Sequence, residues 1–177
     1  MRKILNKLMK PFNLELLDKH KIRWLYDEHH AAEVLRREFL FLSSLSPDIA
    51  WKALQTLPRS RSQLRQDIFV LCELDFKRDG FFVEFGATNG VDISNSYLLE
   101  TEFNWKGILA EPARCWHADL KSHRRAEIET RCVWRSTGEQ LTFNEVPRSK
   151  ELSTIDEFSA SDRHAKRRAK GMRYKVE

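Results

Sequence analysis

Apolar residues in the first third of the chain recur three and four positions apart. From Leu14 to Leu42 the positions Leu17, Ile22, Leu25, Val34, Leu35 and Phe39 recur at roughly helical spacing with no internal proline or glycine, which predicts one long helix or two abutting ones. Ahead of it, Ile4, Leu5, Leu8 and Met9 fall on one side of a short helix over residues 2–9, with Lys3, Lys7 and Lys10 opposite, until Pro11 interrupts the run. Two readings stand for that segment: a helix docking on its own protein, or a weak membrane-surface contact through residues 1–10. Ser46-Pro47-Asp48 then joins an N-cap to a proline at the first helical position and opens a helix to about Leu57. The polar break Pro58-Arg59-Ser60-Arg61-Ser62 closes a helical N-terminal segment, 1–60, and sets it apart from residues 61–177.

Beyond the break the pattern alternates. Residues 65–75, 93–103 and 113–123 read as helices, whereas 81–85, 107–110, 128–134 and 140–144 read as strands. Strands separated by helices of this length predict an α/β domain with a parallel, doubly wound sheet. The basic stretch 161–170 reads as helical, and the alternation of Met172, Tyr174 and Val176 predicts a strand in which the chain stops. A doubly wound sheet needs further strands, so this one is expected to be incomplete. One unbuilt edge would leave hydrophobic surface exposed.

Composition narrows the class. Hydrophobic residues make up 41% and charged residues 32% of the 177, which favours a folded domain over a disordered chain. No window approaches the roughly 20 apolar residues of a membrane span, and the basic start lacks the apolar run of a secretory signal. The three cysteines, Cys72, Cys115 and Cys132, suit a reducing, cytoplasmic setting better than a disulfide framework. No metal site is expected, because Cys115 and His117 have no second pair at ligand spacing. The adjacent His29 and His30 point in different directions on a helix and read as surface or packing residues. The net charge of +5 is confined to the ends: residues 1–10 carry +4, 161–177 carry +5, and 11–160 carry −4. Without a contiguous basic face, no nucleic-acid partner is expected.

The chemistry gathers where the first strand ends. In Glu84-Phe85-Gly86-Ala87-Thr88-Asn89-Gly90 the glycines allow a tight turn and close approach of a ligand to the backbone, and the helix beyond offers free N–H groups. The spacing Gly-x-x-x-Gly lacks the three glycines of a dinucleotide fingerprint, which counts against NAD or FAD, and no Gly-Lys-Ser/Thr follows to cradle a phosphate. Glu111 follows the next strand, where a carboxylate accepts hydrogen bonds from the two hydroxyls of a ribose. A ribose carboxylate without a diphosphate loop fits an adenosine ligand such as S-adenosylmethionine.

Three blocks together, Ser62-Gln63-Leu64-Arg65-Gln66-Asp67, Gly80 to Glu100, and Trp105 to Pro112, resemble the FkbM-type methyltransferase family in order and spacing. Cys132-Val133-Trp134 and Leu141-Thr142-Phe143 are similar to that family's continuation, and the resemblance runs from about Ser62 to Phe143. It implies a Rossmann-like methyltransferase fold, S-adenosyl-L-methionine as donor, and a hydroxyl on a sugar or natural product as acceptor. By position it implies that Glu84, Gly86 and Gly90 line the methionine side, that Ala87 and Asn89 of the same loop bind the donor, that Ser94 and Asn95 cap the following helix and contact the donor, and that Glu111 holds the ribose. Gln66 and Asp67 would close over the site, although Asp67 reads equally well as a charge favoured by its helix dipole. The family's Asn-Asp is Thr88-Asn89 here, which removes the charge-assisted part of one contact and weakens donor binding. No catalytic base stands out; His117 and His123 qualify by residue type alone. The alternative reading is a truncated, non-catalytic donor-binding or interaction fragment of the same family.

Overall fold

The computed structural model describes residues 19–177, and of residues 19–26 the backbone alone. The amphipathic segment 2–9, its membrane contact and the first turn of the helix expected from Leu14 lie outside the described residues. The chain divides into two compact units, Met1–Ala50 and Trp51–Glu177.

In the first unit, helix α1 (Lys19–Ser43) runs unbroken for 25 residues, as a stretch without proline or glycine allows. The hydroxyls of Ser43 and Ser44 donate to the carbonyls of Leu40 and Phe41 at 3.0 and 2.7 Å, using acceptors that a helix end leaves unpaired. His29 and His30 are exposed on it. Helix α2 (Pro47–Thr56), whose residues from Trp51 on count to the second unit, has its proline at the first position, and the Ser46 carbonyl accepts the Ala50 N–H at 2.8 Å.

The second unit is mixed α/β. Its order is α3 (Gln66–Glu73), β1 (Phe81–Phe85), α4 (Tyr97–Phe103), β2 (Lys106–Ala110), α5 (His117–His123), β3 (Glu127–Glu129), β4 (Leu141–Glu145), β5 (Thr154–Ile155), α6 (Ala165–Arg168) and β6 (Met172–Val176). Strands β1, β2 and β3 pair in parallel in that spatial order, with Val83 opposite Ile108 and Ile108 opposite Glu127. Parallel pairing requires crossovers, and α4 and α5 supply them. Ile68, Leu71, Leu98, Leu109 and Leu120 are closed to solvent, so α3, α4 and α5 share a core with β2. The buried Phe82 ring lies on Gly107, where a Cβ would collide with it.

Four sequence expectations give way here. Residues 128–134 do not form a long strand: β3 stops at Glu129, and the Cys132 N–H turns to the Glu177 carbonyl at 2.6 Å. Strand β4 does not extend the parallel sheet but centres a second, antiparallel sheet in the order β5-β4-β6. Only Ala165–Arg168 of the basic stretch is helical, with turns before and after it. The helix expected from residue 93 starts at Tyr97, because the preceding residues are held by Glu84. The alternation at 172–176 does give a strand, β6.

Strand β1 is an edge of the parallel sheet, and Phe81, Val83 and Phe85 on one of its faces are 64%, 53% and 64% exposed. That face therefore carries an exposed apolar patch. No helix among the described residues is long and apolar enough to cross a membrane.

The covered face holds a polar network. The Arg124 side chain is 0% exposed and donates from Nε to Glu100 Oε2 at 2.8 Å, and from its other nitrogens to the Gly90 carbonyl, Ser94 Oγ and Ser96 Oγ. Those two serines also donate to Glu84 Oε2, and the Asn95 N–H donates to Glu84 Oε1 at 2.8 Å. Arg124→Met strands the buried Glu100 carboxylate without its buried cation and takes a donor from the two serines that hold Glu84. We expect a loss of about 3–5 kcal/mol, read as a lowered urea midpoint, whereas exposed Arg125→Met changes it far less.

Candidate functional site

A cleft of about 270 Å³ opens at the carboxyl ends of β1 and β2, where ligands of open parallel sheets bind. One wall is the turn after β1. Gly86 takes φ +69° and donates its N–H to the Ala110 carbonyl at 2.8 Å. A Cβ at Gly86 would find nothing within 4 Å, so its backbone faces free space. Thr88, also at positive φ, directs its N–H to Glu111 Oε2 at 2.8 Å.

Glu111 joins the two strand ends. Its other oxygen accepts the Ala113 N–H at 2.8 Å, and its own N–H donates to the Glu129 carbonyl at 2.9 Å. Burial raises its pKa. The N–H groups of Ala113 and Thr88 and the nearby His117 oppose that rise, and Glu145 adds to it. Each oxygen of the carboxylate keeps a lone pair for a further donor.

The antiparallel sheet supplies the opposite wall through Phe143 and the Lys150–Ile155 segment. Trp116 and Val133 are apolar surfaces of the cleft, and the Lys150 ammonium lies 4.7 Å from the Trp116 ring centroid. The two sheets are fastened by Tyr174, whose hydroxyl lies 2.9 Å from Glu145 Oε2 and accepts the Arg114 N–H at 3.2 Å. Burial first, then the Glu145 carboxylate, hold that phenol well above its ordinary pKa.

Of the expected site residues, Gly86 and Glu111 line the cleft. Glu84 and Ser94 instead belong to the buried network around Arg124, and Asn95 gives that network its main-chain N–H alone while its side chain is exposed. Gly90 is packed there too: it takes φ +79°, and a Cβ would lie 2.6 Å from both Arg124 Cγ and Leu120 Cδ1. Ala87 is buried and donates its N–H to the Ala110 carbonyl at 3.3 Å. Asn89 folds its side chain over its own turn, accepting the Val91 and Asp92 N–H groups at 3.0 and 2.9 Å. Asp67 is wholly buried and binds locally, with Oδ1 accepting the hydroxyls of Ser60 and Ser62 at 2.7 and 2.8 Å.

His117 Nε2 and His123 Nδ1 are each engaged by a main-chain carbonyl, of Glu111 at 2.8 Å and of Asn89 at 3.0 Å. Neither ring lines the cleft. Sequence reasoning missed Arg124, Trp116 and the wall 150–155, none of which stands in a motif. Among the described residues no group of three or more His, Cys, Asp or Glu could hold a metal ion. No family model, curated protein or solved structure matches the chain.

The two glycines should respond differently to alanine. Gly86→Ala meets only the cost of its left-handed backbone, about 1–2 kcal/mol, whereas Gly90→Ala adds a collision and costs about 2–4 kcal/mol. Urea denaturation of both variants measures the difference. Cys132, also on the cleft, has its thiol pushed up to about 11 by burial first and Glu111 second. Alkylation followed by mass spectrometry should therefore be slow at pH 8 and accelerate with each step towards about pH 11.

Proposed function

We propose that the cleft binds S-adenosyl-L-methionine and that the chain is a methyltransferase of the FkbM type, acting on a hydroxyl of a sugar or natural-product acceptor. The observation that carries this reading is the meeting of Gly86 and Glu111 at the ends of adjacent parallel strands, around one cleft. A side-chain-free turn beside a buried carboxylate is what an adenosine carrying an amino-acid tail requires. The parallel order β1-β2-β3 with helical crossovers supports the finer assignment to a Rossmann-like methyltransferase fold. The free thiols fit a cytoplasmic location.

The residues present fit the donor. Glu111 would accept from the ribose hydroxyls, pre-set by the Thr88 and Ala113 N–H groups. The open backbone at Gly86 would admit the methionine part, and Trp116 and Val133 give an apolar surface for a purine ring. When bound, the donor supplies an activated methyl group for in-line displacement by the acceptor oxygen. The chain's own residues contribute position: the Arg124 network keeps the turn after β1 in place, and the close packing of Tyr174 on the Glu145 side fixes the far wall.

A second reading, a donor-binding module without turnover, is favoured by one observation. His117 and His123 each hold a main-chain carbonyl and neither lines the cleft, so among the described residues no imidazole stands beside it. Titration calorimetry with S-adenosylhomocysteine tests the shared premise. Micromolar binding that Glu111→Ala abolishes supports donor binding, while absence of heat from folded protein removes both readings. The raised pKa of Glu111 adds a direction: affinity should fall on acidification at a higher pH than an ordinary glutamate would give, because protonation removes an acceptor.

A further inference from the structure

The basic C-terminal stretch is a folded surface. Asn144 on β4 is fully buried and donates from Nδ2 to Ser159 Oγ at 2.8 Å, to the Arg168 carbonyl at 3.0 Å and to Asp156 Oδ1 at 3.3 Å. Gly171 lies against the same amide, in contact with its Oδ1. Residues 156–171 are thereby folded onto one face of the antiparallel sheet. Arg173 and Lys175 project on that face as well, because they pair with Asn144 and Thr142.

Charge is divided by depth. Buried Arg168 donates from Nη1 to Asp162 Oδ1 at 2.7 Å and from Nε to the Leu152 carbonyl at 2.8 Å. Arg173 pairs with Asp156 at 3.0 Å. These two arginines neutralise the segment's two aspartates. Arg163, Lys166, Arg167 and Lys170 are left outside, all exposed and without an ion pair among the described residues. Lys175 adds a fifth cation, held only by the Thr142 hydroxyl at 3.0 Å. Against these five, the exposed carboxylates of residues 156–171 are Glu157 and the Arg168-paired Asp162.

We propose that this face docks on an anionic lipid surface, with Arg163, Lys166, Arg167, Lys170 and Lys175 meeting the headgroups and Phe158 entering the interface. Charge complementarity selects an anionic partner, and the shape of the face selects among anions. Phe158 is a large apolar side chain, 42% exposed, on the same segment as the cations. A cationic patch with an adjoining apolar anchor matches a charged bilayer interface. The four residues of α6 are too short to enter a duplex groove, and the segment lacks the successive aromatic platforms that hold single strands. The proposal is independent of what the cleft binds.

The full chain should co-sediment with phosphatidylcholine vesicles containing phosphatidylserine and not with phosphatidylcholine alone, and high salt should release it. Lys166→Gln combined with Arg167→Gln and Lys170→Gln changes exposed side chains only. It should lower partitioning about a hundredfold, at about fivefold per cation. The charge-keeping pair Lys166→Arg and Lys170→Arg should bind as the wild type does. Residues 1–10 are basic too, so undiminished vesicle binding by the triple variant would overturn the proposal. Equal binding to neutral vesicles, or a gel shift with single-stranded RNA in the absence of vesicle binding, would overturn it as well.

Discussion

Arg124 carries a full charge into a place without solvent, and its surroundings are arranged to answer that charge. Desolvating a guanidinium costs several kcal/mol, which is recovered only if every donor finds an acceptor in good geometry. Here the acceptors are four residues of one stretch, 90–100: Glu100 of α4, the Gly90 carbonyl, and the hydroxyls of Ser94 and Ser96. The same hydroxyls satisfy Glu84 at the heart of β1. One side chain at the end of α5 thus ties the turn after β1 to the helix that follows it. Replacing the whole pair by apolar side chains of equal shape would need no such compensation, whereas removing one partner leaves the other buried and unpaired. The effect of the pair is to permit one position for residues 86–96 rather than several.

That position shapes the cleft. With Gly90 locked between Arg124 and Leu120, and Asn89 capping its own turn, Gly86 and Thr88 are the parts of the loop left facing open space. Glu111 then bridges to Thr88 from the next strand. The loop therefore has two sides with different duties, one buried and structural, the other open to a ligand. Glu84 and Ser94 belong to the structural side, which Asn95 joins through its main-chain N–H alone.

The antiparallel sheet closes the other side of the cleft by the same economy of polar pairing. Tyr174, Glu145 and the main chain of Arg114 fasten β4 and β6 to the residues after β2, and Phe143 lies against Tyr174 at 5.7 Å between ring centroids. On its outer face, Asn144 gathers the chain between Asp156 and Gly171 and leaves the cations outside. Basic residues that read as a helical stretch in one dimension thus become a face in three.

Periodicity and turn chemistry determined much of this protein in advance. The unbroken apolar spacing gave α1, the Ser-Pro-Asp signal gave α2, and the alternation after Ser62 gave α3, β1, β2 and α5 to within a few residues. Those signals are local, since they depend on backbone propensity and on one face being buried. The glycine turn and Glu111 were legible for the same reason, as each follows a strand end. What the chain order could not express is which distant groups share a buried site. Arg124 resembles any arginine after a helix until Glu100 and the two serines surround it, and β4 resembles one more parallel strand until β5 and β6 pair with it from the far side. Strand partners, the burial of charge and the walls of a cleft are settled by contacts between residues far apart in sequence. Their energy exists only once the chain is folded.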